Sequence, residues 1–73
     1  MKFIEMSGKT LLKLVSREEM ENLRHAGVNE HSLIRVNPQG DVEIRRHSDW
    51  GIIGGLVGDF EVRVKHTTGL DWA

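Results

Sequence analysis

The stretch Trp50–Gly58, WGIIGGLVG, most constrains what this chain can fold into. Its glycines, Gly51, Gly54, Gly55 and Gly58, are interspersed with Ile52, Ile53, Leu56 and Val57. So apolar a segment favours burial. So glycine-rich a segment has little side-chain surface to bury and is entropically costly to order. The combination points to a close approach of two backbones, a bend or an interface, and it names no chemistry.

Length sharpens that choice. A chain of 73 residues is read as one small domain over 1–73, near the lower limit for a self-sufficient core. Chains of this size often gain stability from a disulfide, a metal or a partner subunit. The sequence has no cysteine, which excludes disulfides, thiolate zinc sites and cysteine nucleophiles. Self-association is therefore the expected extra source of stability. The absence of cysteine fits a reducing compartment, and a cytoplasmic location is expected. The N-terminus, MKFIEMSGK, lacks the continuous apolar region of a signal peptide. The longest apolar-plus-glycine run is about half of the ~20 residues that span a bilayer, so no membrane partner is expected. Charges are balanced, with a formal net charge of −1, whereas a dedicated nucleic-acid binder is usually basic.

The clearest local signal lies in SREEMENLRHAGV, residues 16–28. Ser16 and Glu19 have the spacing of a capping box, and Val15 and Met20 that of a hydrophobic staple. Glu18 and Glu19 fall in the first turn, Arg24 and His25 in the last, both favourable to the helix dipole. Gly27 suits a left-handed C-terminal position, with Val28 folding back onto Leu23. These signals predict a helix over Arg17–Ala26.

Two strands, Lys2–Met6 and Thr10–Val15, are expected as a hairpin around Ser7-Gly8-Lys9. A helix through Thr10–Val15 is the rival, because LLKLV is ambiguous at that length. Ser32–Val36 and Asp41–Arg46 form a second hairpin joined by Asn37-Pro38-Gln39-Gly40, a run of turn formers. The C-terminal third reads two ways. Phe60, Val62 and Val64 alternate with charged residues as in a strand, while Trp50, Ile53, Val57, Phe60 and Val64 have helical spacing. A helix carrying the internal glycines would lose about 1 kcal/mol at each. Strands at Trp50–Ile53 and Phe60–Lys65 are preferred, with a turn at Gly58-Asp59. A second, C-terminal helix is the alternative. Leu70 and Trp72 are expected to dock on the core. The fold class is α+β: a small antiparallel sheet of hairpins packed against one capped helix.

No motif carries an assignable chemistry. Ser7-Gly8-Lys9-Thr10 resembles the end of a phosphate-binding loop, but Phe3 stands where that loop needs glycine. Gly55-Leu56-Val57-Gly58 has the GXXG spacing of KH-type RNA-binding loops, with Leu and Val ill-suited to meet phosphates. Gly54 and Gly58 have GxxxG spacing outside any long apolar span. His25, His31, His47 and His66 show no metal-ligand spacing. No catalytic residue, metal or cofactor is expected, and enzymatic activity is the least supported class.

Two surfaces remain as candidates. Gly54, Gly55, Leu56, Val57 and Gly58 are the expected self-association segment of a non-enzymatic interaction or regulatory module, with a second copy or another protein as partner. The alternative is a weak nucleic-acid-binding domain. It would use Arg35, Arg45, Arg46, Arg63 and Lys65 as a basic sheet face, with Trp50 to stack a base. The bland reading of those charges is a solvated face, because they alternate with Glu43, Glu61 and Asp59.

The helix start is directly testable. Ser16→Ala should cost about 1 kcal/mol of stability, read as a lower denaturation midpoint at unchanged slope.

Overall fold

The computed structural model describes residues 2–72. Its elements in chain order are β1 (Ile4–Ser7), α1 (Gly8–Leu14), α2 (Arg17–His25), β2 (Leu33–Val36), β3 (Asp41–Arg46), β4 (Asp49–Gly55) and α3 (Phe60–Thr68). The strands form one antiparallel sheet in the order β1-β2-β3-β4. The architecture is α+β.

Period-two alternation gives the sheet a buried face. Ile4 and Met6 of β1, Ile34 and Val36 of β2, and Val42 and Ile44 of β3 all point into the core. The helices meet them with Leu11 and Leu14 of α1, Leu23 of α2, and Phe60 and Val64 of α3. Full burial of such a side chain contributes about 1.5–3 kcal/mol, so this single layer of contacts dominates stability.

Local signals in residues 16–28 are realised atom by atom. The Ser16 N–H donates to Glu19 Oε1 at 2.9 Å, and the Glu19 N–H donates to Ser16 Oγ at 3.2 Å. At the other end Val28 N donates to Leu23 O and Gly27 N to Arg24 O, both at 3.0 Å, the paired bonds of a Schellman ending. The β2–β3 turn is tied by Asn37. Its Oδ1 accepts from the N–H groups of Gln39 and Asp41 at 3.0 and 2.9 Å. Gly40 takes φ +89 there, and a Cβ would lie 2.8 Å from Leu56 O.

Two expected strands are helices. Thr10–Val15 does not pair with β1; the segment is α1, begun by Ser7, whose Oγ accepts from Thr10 N at 3.2 Å. Leu11 and Leu14 then share the buried face, a 3-residue spacing that serves a helix better than a strand. β1 pairs instead with β2, Ile4 opposite Val36 and Met6 opposite Ile34. Phe60–Lys65 is likewise not a strand but most of α3, and Gly58-Asp59 leads into that helix rather than turning between strands. The glycine cost that argued against a helix falls away, because the glycines stay in β4 and the loop before Phe60. Val62 is left 64% exposed, which the burial of Phe60 and Val64 outweighs. Three helices therefore stand where one was expected. Trp72 docks, with its Nε1–H donating to Val36 O at 2.9 Å and its ring edge-on to Phe60. Leu70 does not dock and is mostly exposed.

Gly8 sits where β1 hands over to α1. A Cβ on it would lie 1.8 Å from Asn29 O, a backbone atom that cannot swing away. Gly8→Ala should destabilise the fold by at least about 2 kcal/mol, read as a drop in thermal midpoint far larger than that of Gly51→Ala, whose Cβ would meet nothing within 4 Å.

Candidate interaction surface

All three helices contribute to the core on one side of the sheet, which leaves its other face uncovered. By register, Arg35 lies opposite Glu43, Glu43 opposite Ile52, and Arg45 opposite Trp50. Directly opposed side chains share a face, so all five stand on the open side. Arg35 sits against two rings. Its guanidinium carbon is 3.8 Å from the Phe3 centroid and 4.4 Å from that of Trp50. It donates from Nε and Nη2 to Glu43 Oε1 at 3.0 and 2.8 Å. Arg45 also lies over Trp50, 5.6 Å from its centroid. Leu33 and Ile52 flank this ladder, and Ile52 is 70% exposed.

β4 carries Trp50 and Ile52 of that surface and is also a sheet edge. It is joined to β3 by the two-residue turn His47-Ser48, in which His47 takes φ 51, a conformation such turns favour. Near its far end Val42 pairs with Gly54 while Glu43 pairs with Ile52. Ile53 is thus the extra residue of a bulge, and its side chain packs against the core.

The candidate self-association residues divide. Gly54 and Gly55 end β4, and the Leu56 side chain is buried in the chain's own core. Val57 is exposed, and Gly58 takes φ +71 before α3. The candidate basic residues are dispersed. Arg35 and Arg45 meet at Trp50, but the Arg35 charge is neutralised by Glu43. Arg46 reaches the Ala26 carbonyl at 3.3 Å. Lys65, on α3, faces Asp71 at 3.6 Å.

Arg63 is a structural hub. Its Nη1 donates to Leu14 O at 2.9 Å and Glu19 Oε1 at 3.1 Å, and its Nη2 to Val57 O at 2.7 Å. Nε faces Asp59 Oδ1 at 3.3 Å as an ion pair without hydrogen-bond alignment. Glu19 Oε2 accepts from Val57 N at 3.1 Å. Burial raises the Glu19 pKa. Hydrogen bonds from the Ser16 N–H, Arg63, the Val57 N–H and the Ser16 hydroxyl outweigh it and hold the carboxyl below its ordinary value.

Elsewhere a groove of about 540 Å³ between α1 and the end of α2 is lined by Lys9, Leu12, Lys13, Arg24, Val28, Asn29 and Glu30. Among the described residues no three His, Asp or Glu side chains gather as a metal site, and no helix is long and apolar enough to cross a membrane. Comparison with protein-family models, curated proteins and solved structures returns no match.

The hub gives the fold a definite acid response. The folded state binds the Glu19 proton less tightly than the unfolded chain, whose value is near 4.5. Its stabilisation is complete above that value and is lost as pH falls through the lowered folded value. The thermal midpoint of the wild type should therefore fall on acidification below about pH 4.5 more steeply than that of Glu19→Gln, followed by circular dichroism. Arg63→Met, which leaves Glu19 and two carbonyls without their donor, should cost about 2–3 kcal/mol at neutral pH.

Proposed function

We propose that the chain is a small non-enzymatic interaction module that self-associates through β4, the sheet edge that carries Trp50 and Ile52 of the uncovered face. The observation that carries this reading is the open-face ladder of Phe3, Arg35 and Trp50 ending in the exposed Ile52. Rigid aromatic and arginine side chains beside exposed aliphatic ones are the composition of protein contact surfaces. Stacking on two rings and pairing with Glu43 pre-order the Arg35 side chain, which lowers the entropy lost on contact. Gly54, Gly55, Val57 and Gly58 border the proposed contact. Leu56 supports it from beneath, so a charge at Leu56 would unfold the chain, whereas a charge at Val57 would weaken association. A cytoplasmic setting suits a chain free of cysteine.

Nucleic-acid binding is the second reading, and the pairing of Arg45 with Trp50 favours it. Among the described residues Arg45 is the one cation there without a carboxylate within ion-pair distance, which suits weak contact at most.

Sedimentation equilibrium on the wild type tests the first reading. A mass above the monomer that grows with concentration is expected; a strictly monomeric mass at high concentration overturns it. A monomer that binds single-stranded RNA, with affinity falling as salt rises, would transfer support to the second reading.

A further inference from the structure

The edge of β4 points to one geometry for that association. In a hairpin closed by two residues the flanking pair, here Arg46 and Asp49, exchanges both backbone hydrogen bonds, and such pairs then alternate along the ladder. By that alternation Asp49 and Gly51 turn their N–H and C=O groups toward β3. Trp50 and Ile52 turn theirs outward, away from the sheet. Natural edges of this kind are usually blunted by lysine, proline or inward charge. β4, DWGIIGG, has no lysine or proline and only one charged residue, Asp49, at its first position. The opposite edge carries Glu5 within β1.

A second observation concerns Gly51. It does not adopt a positive φ, and a Cβ on it would meet nothing within 4 Å. Glycine within a strand weakens it and often marks the close approach of another backbone. Nothing in the packing of the described residues calls for glycine at this position.

We propose that β4 pairs antiparallel with β4 of a second copy about a two-fold axis at Gly51, making one continuous eight-stranded sheet. The proposal rests on the self-association reading and specifies how it is achieved. Gly51 then faces Gly51 of the second copy as a non-hydrogen-bonded pair, the closest kind, with Cα atoms about 4.5 Å apart. Trp50 faces Ile52 of the second copy, and by symmetry the reverse. Each of these pairs joins the outward N–H and C=O groups across the axis. Trp50 and Ile52 both stand on the open face, so each pair is an aromatic against a β-branched side chain, a favourable cross-strand combination. The bulge at Ile53 ends the ladder just beyond, which limits the pairing to one closed two-fold contact.

The absence of native cysteine makes the test clean. Gly51→Cys should form an intermolecular disulfide under mild oxidation at micromolar concentration, while Glu61→Cys, on the exposed side of α3, should stay monomeric on a denaturing gel. Ile52→Lys should keep the helical circular dichroism and raise the dimer dissociation constant by about tenfold or more, because it replaces both apolar pairs and brings like charges together. If Gly51→Cys fails to fold, Ile52→Lys alone decides. A wild type that self-associates while Gly51→Cys folds without cross-linking, or while Ile52→Lys associates as before, overturns the β4 pairing and leaves the association itself standing. A strictly monomeric wild type overturns both.

Discussion

Arg63 and Glu19 hold together segments that local structure alone would leave apart. The Glu19 carboxylate first closes the box that starts α2 and then accepts from Arg63 and from Val57 N. Arg63 in turn satisfies the last carbonyl of α1 and the carbonyl of Val57. Carbonyls at helix ends have no partner within the helix and must find one elsewhere. One guanidinium thus ends α1, positions α2 and anchors the loop into α3. Its side chain is only 25% exposed and that of Glu19 only 10%, so the pair works where water screens it weakly and where losing either partner is costly.

The consequence for the sheet is asymmetry. With all three helices fastened to one another on one side, the other face has no helix over it and is covered only by its own side chains, which bury Glu43. It does not become an ordinary charged face. Arg35 lies between Phe3 and Trp50 with Glu43 beneath it, which rigidifies the centre and leaves Leu33 and Ile52 standing on either side. The glycines of β4 then acquire a different meaning from those of the turns. Gly8 and Gly40 are dictated by neighbouring backbone, whereas Gly51 has open space around it. That open space is what the proposed pairing with a second copy would use.

Much of the fold is legible in short windows. The cap, box and Schellman ending of α2 involve residues at most five apart, as do the Asn37 bonds of the β2–β3 turn, so residue order alone specifies them. Strand alternation at Ile34–Val36 and Val42–Ile44 is equally local. The segments 10–15 and 60–65 misled because short apolar runs fit either period, and their choice depends on which face finds a partner. One local signal was present: Ser7, three residues before Thr10, has the spacing of a helix cap and marks α1. For α3 the decisive fact was the break between Gly55 and Phe60, which separated the glycines from the helix.

The candidate surface divides along the same line. Residue order put Trp50 near the basic residues 45 and 46 and marked the glycine segment as an unusual apolar stretch. It could not reveal that Phe3 would stack on Arg35, 32 positions later, or that Arg63 would be consumed by Glu19, 44 positions earlier. The sequence by itself determined the elements whose hydrogen bonds close within a few residues. Only the tertiary structure decided which face of the sheet stays open and which charges remain free on it, because both depend on contacts between segments that meet only when the core forms.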